Sequence, residues 1–318
     1  MASSKKGLRM RVLITGGTGM VGRNLQEHPA AENYELLTPT SSELNLLDQL
    51  SLSNFLDSEK PELIIHCGGL VGGIQANIAN PADFLLTNAQ IGLNLVSEAR
   101  EHDIKKLINL GSSCMYPRES INPIKEESIL CGPLEPTNEG YALAKIVTAK
   151  ACEYVSNGTS DFYYRTLIPC NLYGRHDHFH DSRSHLIAAI IKKLHHANEQ
   201  GFEQVEIWGD GSARREFMDA RDLADFVYTI IPKLRELPQN TNVGLGADFS
   251  ILDYYKVVAQ VIGYEGDFVF DLSKPVGMMQ KLVDTSFQKS LNWAPSYSLH
   301  QGIESAYEFF KRGLDSEI

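Results

Sequence analysis

The chain has 318 residues, 43% hydrophobic and 22% charged, with a formal net charge of −11. That length suits one large domain or a large domain with a smaller lobe, and the composition is globular rather than disordered. The acidic balance argues against a nucleic-acid partner, which needs concentrated Lys and Arg, and no apolar run is long enough for a membrane span. Met1 to Arg9 reads as a mobile leader, and the apolar run after it is too short and glycine-rich for a signal peptide. A cytoplasmic protein is the simplest expectation. The five cysteines (Cys67, Cys114, Cys131, Cys152 and Cys170) are scattered without metal-ligand spacing, so free thiols in a reducing compartment are expected.

Along the chain, Arg11 to Thr15 reads as a strand, Met20 to His28 as a helix and Glu35 to Thr38 as a second strand. Leu50 to Ser58 is helical, Leu63 to His66 a third strand, Pro81 to His102 a long amphipathic helix and Lys106 to Leu110 a fourth strand. Tyr141 to Ser156 is another long helix and Asp161 to Ile168 a fifth strand. Strands alternating with helices give an α/β, doubly wound parallel sheet. After Pro169 the alternation breaks. Helices are read at Ser184 to Asn198, Asp222 to Leu234 and Ile251 to Gly263, with short strands at Val205 to Trp208, Asn242 to Leu245 and Phe268 to Phe270. This part is expected to form a smaller lobe interleaved with late returns to the main domain.

Gly16-Gly17-Thr18-Gly19-Met20-Val21-Gly22 follows the first strand and opens the first helix. Such a turn permits a tight reversal and a close approach of pyrophosphate to unpaired helix N–H groups. This predicts a Rossmann-type nicotinamide dinucleotide site. The end of the second strand, Thr38-Pro39-Thr40-Ser41-Ser42, carries neither the acid typical of NAD sites nor a base. Its hydroxyls, with Arg23 nearby, tilt the expectation to NADP(H); Asp48 is placed to meet the adenine amino group or simply to cap a helix.

Tyr141-Ala142-Leu143-Ala144-Lys145 puts a phenol and an ammonium four residues apart on one helix face. A nearby cation is expected to lower the phenol's pKa and ready it for proton transfer at a carbonyl. Gly111-Ser112-Ser113 lies at the C-terminal end of the fourth strand, where such sheets hold ligands, and Ser112 completes the pair on the substrate oxygen.

Gly111-Ser112-Ser113-Cys114-Met115-Tyr116-Pro117 and Leu134-Glu135-Pro136-Thr137-Asn138-Glu139 are the most specific segments of the chain. With Glu43 to Asp48, Val71-Gly72-Gly73-Ile74, Asn171-Leu172-Tyr173-Gly174, His176-Asp177, Trp208-Gly209 and Arg215-Glu216-Phe217, they resemble the GDP-L-fucose synthase family. Those enzymes are GDP-4-keto-6-deoxymannose 3,5-epimerase/4-reductases of the extended short-chain dehydrogenase/reductase type. The resemblance runs from Arg11 to Phe310. It implies that Ser112, Tyr141 and Lys145 serve reduction and that Cys114 and His185 form the acid/base pair of epimerisation. It further implies that Gly16 to Arg23, Asp48, Leu110, Gly111, Ser112, Tyr141, Lys145, Pro169, Asn171, Leu172 and His185 hold the cofactor. Ser113, Asn171, Lys193, Trp208 and Arg215 are implied to hold a GDP-linked 4-keto sugar. For Trp208, simple packing stands equally beside stacking. His176, His178, His180 and His185 form a polar cluster, but their spacing lacks a clear ligand pattern and no metal is expected.

Three stretches depart from the family's pattern: Pro169-Cys170-Asn171, Gly174-Arg175-His176-Asp177-His178-Phe179-His180, and Lys274-Pro275-Val276-Gly277-Met278-Met279-Gln280. The last replaces an acid with apolar residues, which leaves open a related dideoxyhexose or heptose 4-ketosugar with one epimerisation or none. A non-catalytic nucleotide-binding sensor is the remaining alternative, and intact Ser112, Tyr141 and Lys145 count against it. The expected organisation is a leader at 1–9, a mainly NADP-binding part at 10–170, and a mainly substrate-binding lobe at 171–318 with returns to the first part. The long helices at Pro81 to His102 and Tyr141 to Ser156 resemble the family's dimer interface, so a homodimer is expected.

Overall fold

The structure is a computed structural model that describes residues 9–159, 161–179, 184–274 and 278–315. The leader, apart from Arg9, lies outside these residues, as do His180 and Pro275 to Gly277. In chain order the first half runs β1 (Arg11–Thr15), α1 (Met20–Glu27), β2 (Glu35–Leu37), α2 (Gln49–Glu59), β3 (Leu63–His66), α3 (Ile74–Ala79) and α4 (Pro81–Glu101). It continues with β4 (Lys106–Leu110), α5 (Glu139–Gly158) and β5 (Tyr163–Pro169). The second half runs β6 (Asn171–Tyr173), α6 (Leu186–Gln200), β7 (Gln204–Trp208), β8 (Arg214–Arg215), β9 (Phe217–Asp219), α7 (Ala220–Ile230) and β10 (Asn240–Val243). It ends with β11 (Phe249–Ser250), α8 (Ile251–Ile262), β12 (Asp267–Asp271), β13 (Gln280–Lys281), α9 (Ser286–Ser290) and α10 (Leu299–Asp315).

Six strands form one parallel sheet in the order β10-β5-β4-β3-β1-β2. The order reverses between β1 and β3, and the crevice above such a reversal is where doubly wound sheets bind ligands. Both faces are covered, so the central strands are almost wholly apolar. Val12, Ile14, Leu63, Ile65 and Ile108 face a core completed by Leu25 of α1 and Leu223, Phe226 and Val227 of α7. Leu13, Ile64 and Leu107 point the other way, against Leu52 and Leu56 of α2 and Leu95 and Ala99 of α4. The two-residue alternation of a strand divides each β-run between these layers. The sixth strand comes late: Asn240–Val243 pairs in parallel with Thr166 to Pro169, two residues earlier than the strand read at Asn242 to Leu245.

A separate apolar cluster joins α6, α8 and α10 through Ile187, Ile191, Leu194, Tyr254, Val258, Ile303 and Phe310. The amphipathic α10, missed in the sequence, shows its signal in Leu299, Ile303, Ala306, Tyr307 and Phe310 at helical spacing. The helix read at Asp222 to Leu234 stops as α7 at Ile230, and a 3₁₀ turn carrying Pro232 follows. Proline lacks the N–H that would continue the ladder. The pair β12–β7 holds the strands read at Val205 to Trp208 and Phe268 to Phe270, whereas the pair β6–β9 and the three-stranded β11-β8-β13 consist of strands of two or three residues, too short to leave a periodic signal. Among the described residues no helix is long and apolar enough to cross a membrane, and all five cysteines are unpaired.

Candidate active site

The turn after β1 is built by steric exclusion. Gly16 sits at φ +71, and a Cβ there would lie 2.7 Å from the Gly68 backbone after β3. A Cβ on Gly22 would lie 2.4 Å from the Gly16 carbonyl oxygen. Gly19 differs: its Cβ would meet only that oxygen, at an ordinary 3.5 Å. Chain packing therefore does not require glycine at 19, and the missing side chain leaves this side of the turn open to a group approaching from outside. Gly19 is also the N-cap of α1, where no side chain caps the helix and no acid lies in the first turn. Bare N–H groups at a positive helix end suit a pyrophosphate. Thr18 and Arg23 are exposed beside the turn, Met20 and Val21 half-buried within it.

Two features of the loops expected to meet the adenosine differ from the simplest sequence reading. Glu43 folds back on the hydroxyl loop, accepting from Thr40 N at 2.8 Å and Thr40 Oγ1 at 2.9 Å, while Thr40 and Ser42 hydroxyls lie 2.9 Å apart. A carboxylate thus stands where an uncharged loop was expected. Asp48 caps α2, its Oδ1 accepting from Leu50 N and Ser51 N at 3.0 and 3.2 Å.

At the end of β4, Gly111 N donates to Leu167 O at 2.8 Å, and Ser112 caps the 3₁₀ turn Ser113–Met115. This turn buries Ser113 and the Cys114 thiol while leaving Ser112 partly open. Lys145 of α5 is buried and donates from Nζ to the Leu110 carbonyl at 2.9 Å, tying helix to strand end. Its ammonium lies 5.7 Å from the centre of the Tyr141 ring, which packs edge-on against Phe84 of α4. The expected lowering of the phenol by Lys145 is not found. Burial pushes Tyr141 well above its ordinary range, with the Cys114 thiol adding to the effect. Burial lowers Lys145, a shift the neighbouring Cys114 and Cys67 thiols oppose. Burial thus favours the neutral phenol at Tyr141. Burial likewise pushes the Cys114 thiol up, against the pull of Lys281, Ser112 and Lys145.

The facing wall comes from the second half. Arg215 on β8 lies in register with Lys281 on β13, and Glu135 of the segment before α5 acts electrostatically on both. Desolvation lowers both cations. Lys281 was not singled out in the sequence, for an isolated lysine beyond a loop carries no motif. Its placement follows from Leu282 N donating to Asn122 Oδ1 at 2.7 Å and Val283 N to Glu216 Oε2 at 2.9 Å. Asn171 Nδ2 donates to the Glu216 carbonyl at 3.0 Å, beside Leu172, and Pro169 pairs with Val243 in the main sheet.

His185 stands at the N-cap of α6 with Nδ1 3.3 Å from Asp177 Oδ1, and this partner raises the imidazole against the opposing effect of burial. A Cβ on Gly73 would meet Ser184 O at 3.2 Å, and one on Gly72 would meet Phe84 at 3.0 Å. The glycine loop after β3 thus links the start of α6 to the ring that packs on Tyr141. Trp208 is 51% exposed at the end of β7, with Lys274 Nζ 5.5 Å from its ring, so it is not a core side chain. Lys193 on α6 donates to Glu206 O at 2.5 Å. Among the described residues no set of three His, Cys, Asp or Glu side chains sits as a metal site would.

Residues 12–246 match the NAD dependent epimerase/dehydratase family. The chain is 51% identical to the GDP-L-colitose synthase of Yersinia pseudotuberculosis, over 95% of this chain and 98% of that one. It is 48% identical to the GDP-L-fucose synthase of Azorhizobium caulinodans, over 95% and 97% respectively. Among solved structures, the GDP-mannoheptose C4 reductase of Campylobacter jejuni with NADP bound superposes with a TM-score of 0.85 at 32% identity, covering 95% of this chain and 98% of that one.

Proposed function

The chain belongs to the NAD dependent epimerase/dehydratase family, and on that premise we propose that it converts GDP-4-keto-6-deoxy-D-mannose to GDP-L-fucose by 3,5-epimerisation and 4-reduction with NADPH. One observation carries the reading: the turn after β4 buries a thiol beside the Tyr141–Lys145 pair, and a plain carbonyl reductase has no use for it. Carbons 3 and 5 both neighbour the 4-ketone, so each can lose a proton to form an enolate. Reprotonation from the opposite face inverts the centre, which needs two groups on opposite sides. Cys114, as its thiolate, takes the proton and His185, whose hold on its proton Asp177 strengthens, returns one. Ser112 and Tyr141 donate hydrogen bonds to the enolate oxygen.

When bound, the reduced nicotinamide supplies the hydride that reduces carbon 4. Tyr141 then gives its phenolic proton to the oxygen, and Lys145, fixed on the Leu110 carbonyl, steadies the charge that develops on the ring. The glycine turn, Leu110, Gly111, Pro169, Asn171, Leu172 and Lys145 would hold the dinucleotide, with Asp48 at its adenine end. Ser113, Asn171, Lys193, Trp208 and Arg215 hold the GDP-sugar. NADP is favoured by exposed Arg23 and by the NADP-bound relative, while Glu43 opposes a 2′-phosphate.

Residues 10–170 serve mainly the cofactor, and residues 171–318 mainly the substrate. A homodimer is supported by exposed Leu86 and Leu93 on α4 beside Leu143, Val147 and Tyr154 on α5. The unpaired thiols fit a cytoplasmic setting.

The identity to a colitose synthase, with Met278-Met279-Gln280 at the departing segment, favours a second reading: a 3,6-dideoxy 4-ketosugar, in which only carbon 5 is a centre to invert. Turnover of GDP-4-keto-6-deoxymannose with NADPH in D2O, followed by NMR of the product, decides. GDP-L-fucose with deuterium at carbons 3 and 5 supports the main reading. No turnover of this sugar but turnover of its 3-deoxy analogue selects the second.

A further inference from the structure

The loop between β6 and α6 carries a buried carboxylate with unfinished hydrogen bonding. Asp177 Oδ1 accepts from His178 N at 2.8 Å and faces His185 Nδ1 at 3.3 Å. Its Oδ2 is buried with no hydrogen-bond partner among the described residues. Such a group is costly to keep unless its charge is used. The loop is held for it. Arg175 Nη2 and His176 Nε2 reach Glu27 of α1 at 2.6 and 2.7 Å, and Asn24 Nδ2 donates to the Arg175 carbonyl at 3.2 Å. His176 is kept at φ +66, a conformation a non-glycine residue adopts only when its surroundings impose it. The same helix α1 opens at the glycine-rich turn, so one element anchors both loops.

Among the described residues, Asp177 is the side-chain partner of the His185 imidazole. The ring caps no backbone N–H of α6, although the His185 carbonyl receives Ala189 N at 2.9 Å. Among the described residues, the titratable groups beside the ring on the loop are Asp177 and His178, while Arg175 and His176 are engaged by Glu27. The glycine loop that meets Ser184 brings no charge.

We propose that Asp177 is the positioning residue of the site: its carboxylate takes the Nδ1–H of His185, leaving Nε2 as the atom that returns the proton to the sugar. The assignment rests on the epimerase reading above. In the step it serves, the enolate's π electrons form the new C–H bond with the Nε2 proton, the carbonyl at carbon 4 re-forms, and the ring is left neutral. No electrons enter or leave, and Asp177 stays ionised throughout. An orienting carboxylate of this kind fixes one tautomer and stabilises the imidazolium.

The test compares full-length wild type with Asp177→Asn and Asp177→Glu. With GDP-4-keto-6-deoxymannose, Asp177→Asn is expected to lose about 10²-fold in the kcat of deuterium uptake, with KM little changed. The pH at which His185 loses its proton falls, and Asp177→Glu recovers part of the rate. Substrate-free NMR of ¹⁵N-histidine protein, with the His185 signals assigned from His185→Gln, should show an Nδ1–H tautomer whose titration moves to lower pH in Asp177→Asn. Unchanged uptake in Asp177→Asn, or a His185 that titrates alike in both proteins, would overturn the assignment. Wild type without any uptake would instead sink the epimerase reading, and the NMR comparison would still decide the role of Asp177.

Discussion

The two walls of the site are held by different forces. Ser112, Cys114, Tyr141 and Lys145 stand on the end of a fully buried strand and on a helix packed beside it, so apolar burial fixes them. Arg215, Lys281 and His185 stand on two-residue strands and a loop, fixed by polar side chains that satisfy backbone groups: Glu216, Asn122 and Asp177. The first wall is expected to be the more sensitive to changes of volume, and the second to changes of charge and, through Glu216, of pH.

The largest effect is expected from Tyr141→Phe, which removes the proton donor and leaves both walls in place. Reduction should fall by about 10²- to 10⁴-fold while deuterium uptake at carbons 3 and 5 falls much less, Ser112 still donating to the enolate oxygen. Equal loss of both, by stopped-flow absorbance and NMR, would show that the walls do not act separately. Next come the glycines. Gly22→Ala forces a Cβ onto the Gly16 carbonyl and should cost roughly 2–3 kcal/mol in thermal or urea unfolding. Gly19→Ala should leave stability within about 1 kcal/mol yet weaken NADPH in a fluorescence titration, because only the incoming group needs that space. Similar stability losses for the two would remove the distinction between them.

On the polar wall, Lys281→Met removes the strongest charge favouring the Cys114 thiolate. Alkylation of Cys114 by iodoacetamide, followed by peptide mass spectrometry, should slow on the order of three- to ten-fold near neutral pH. An unaltered rate would detach Lys281 from the thiol.

A pH-dependent effect on stability alone concerns Glu216, 1% exposed, whose carboxylate accepts Gly246 N at 2.7 Å and Val283 N at 2.9 Å. Burial pushes it up from 4.5 to about 7. The folded chain therefore keeps a proton that the unfolded chain has released, and stability falls as pH rises through that window, by up to about 3 kcal/mol. Urea midpoints from about pH 5 to 8 should decline in wild type and stay flatter in Glu216→Gln, whatever that variant's absolute stability. Parallel profiles would mean that the polar wall is not pH-bound through this residue.

What the sequence determined by itself is the part governed by local rules. Five strands of the central sheet were legible because buried parallel strands are continuous apolar runs, and the dinucleotide turn because only glycine meets its steric demands. Ser112, Tyr141 and Lys145 followed from their order along that frame. The specific segments around Cys114 and Glu135 carried the family, which the relatives show. Tertiary structure alone decided what depends on distant partners. It brought Lys281 beside Cys114 from 167 residues away in numbering and set Asp177 against His185. It also decided the proton affinities, since burial outweighs a neighbouring lysine at Tyr141 and desolvation is a property of the assembled site, not of any short stretch of chain.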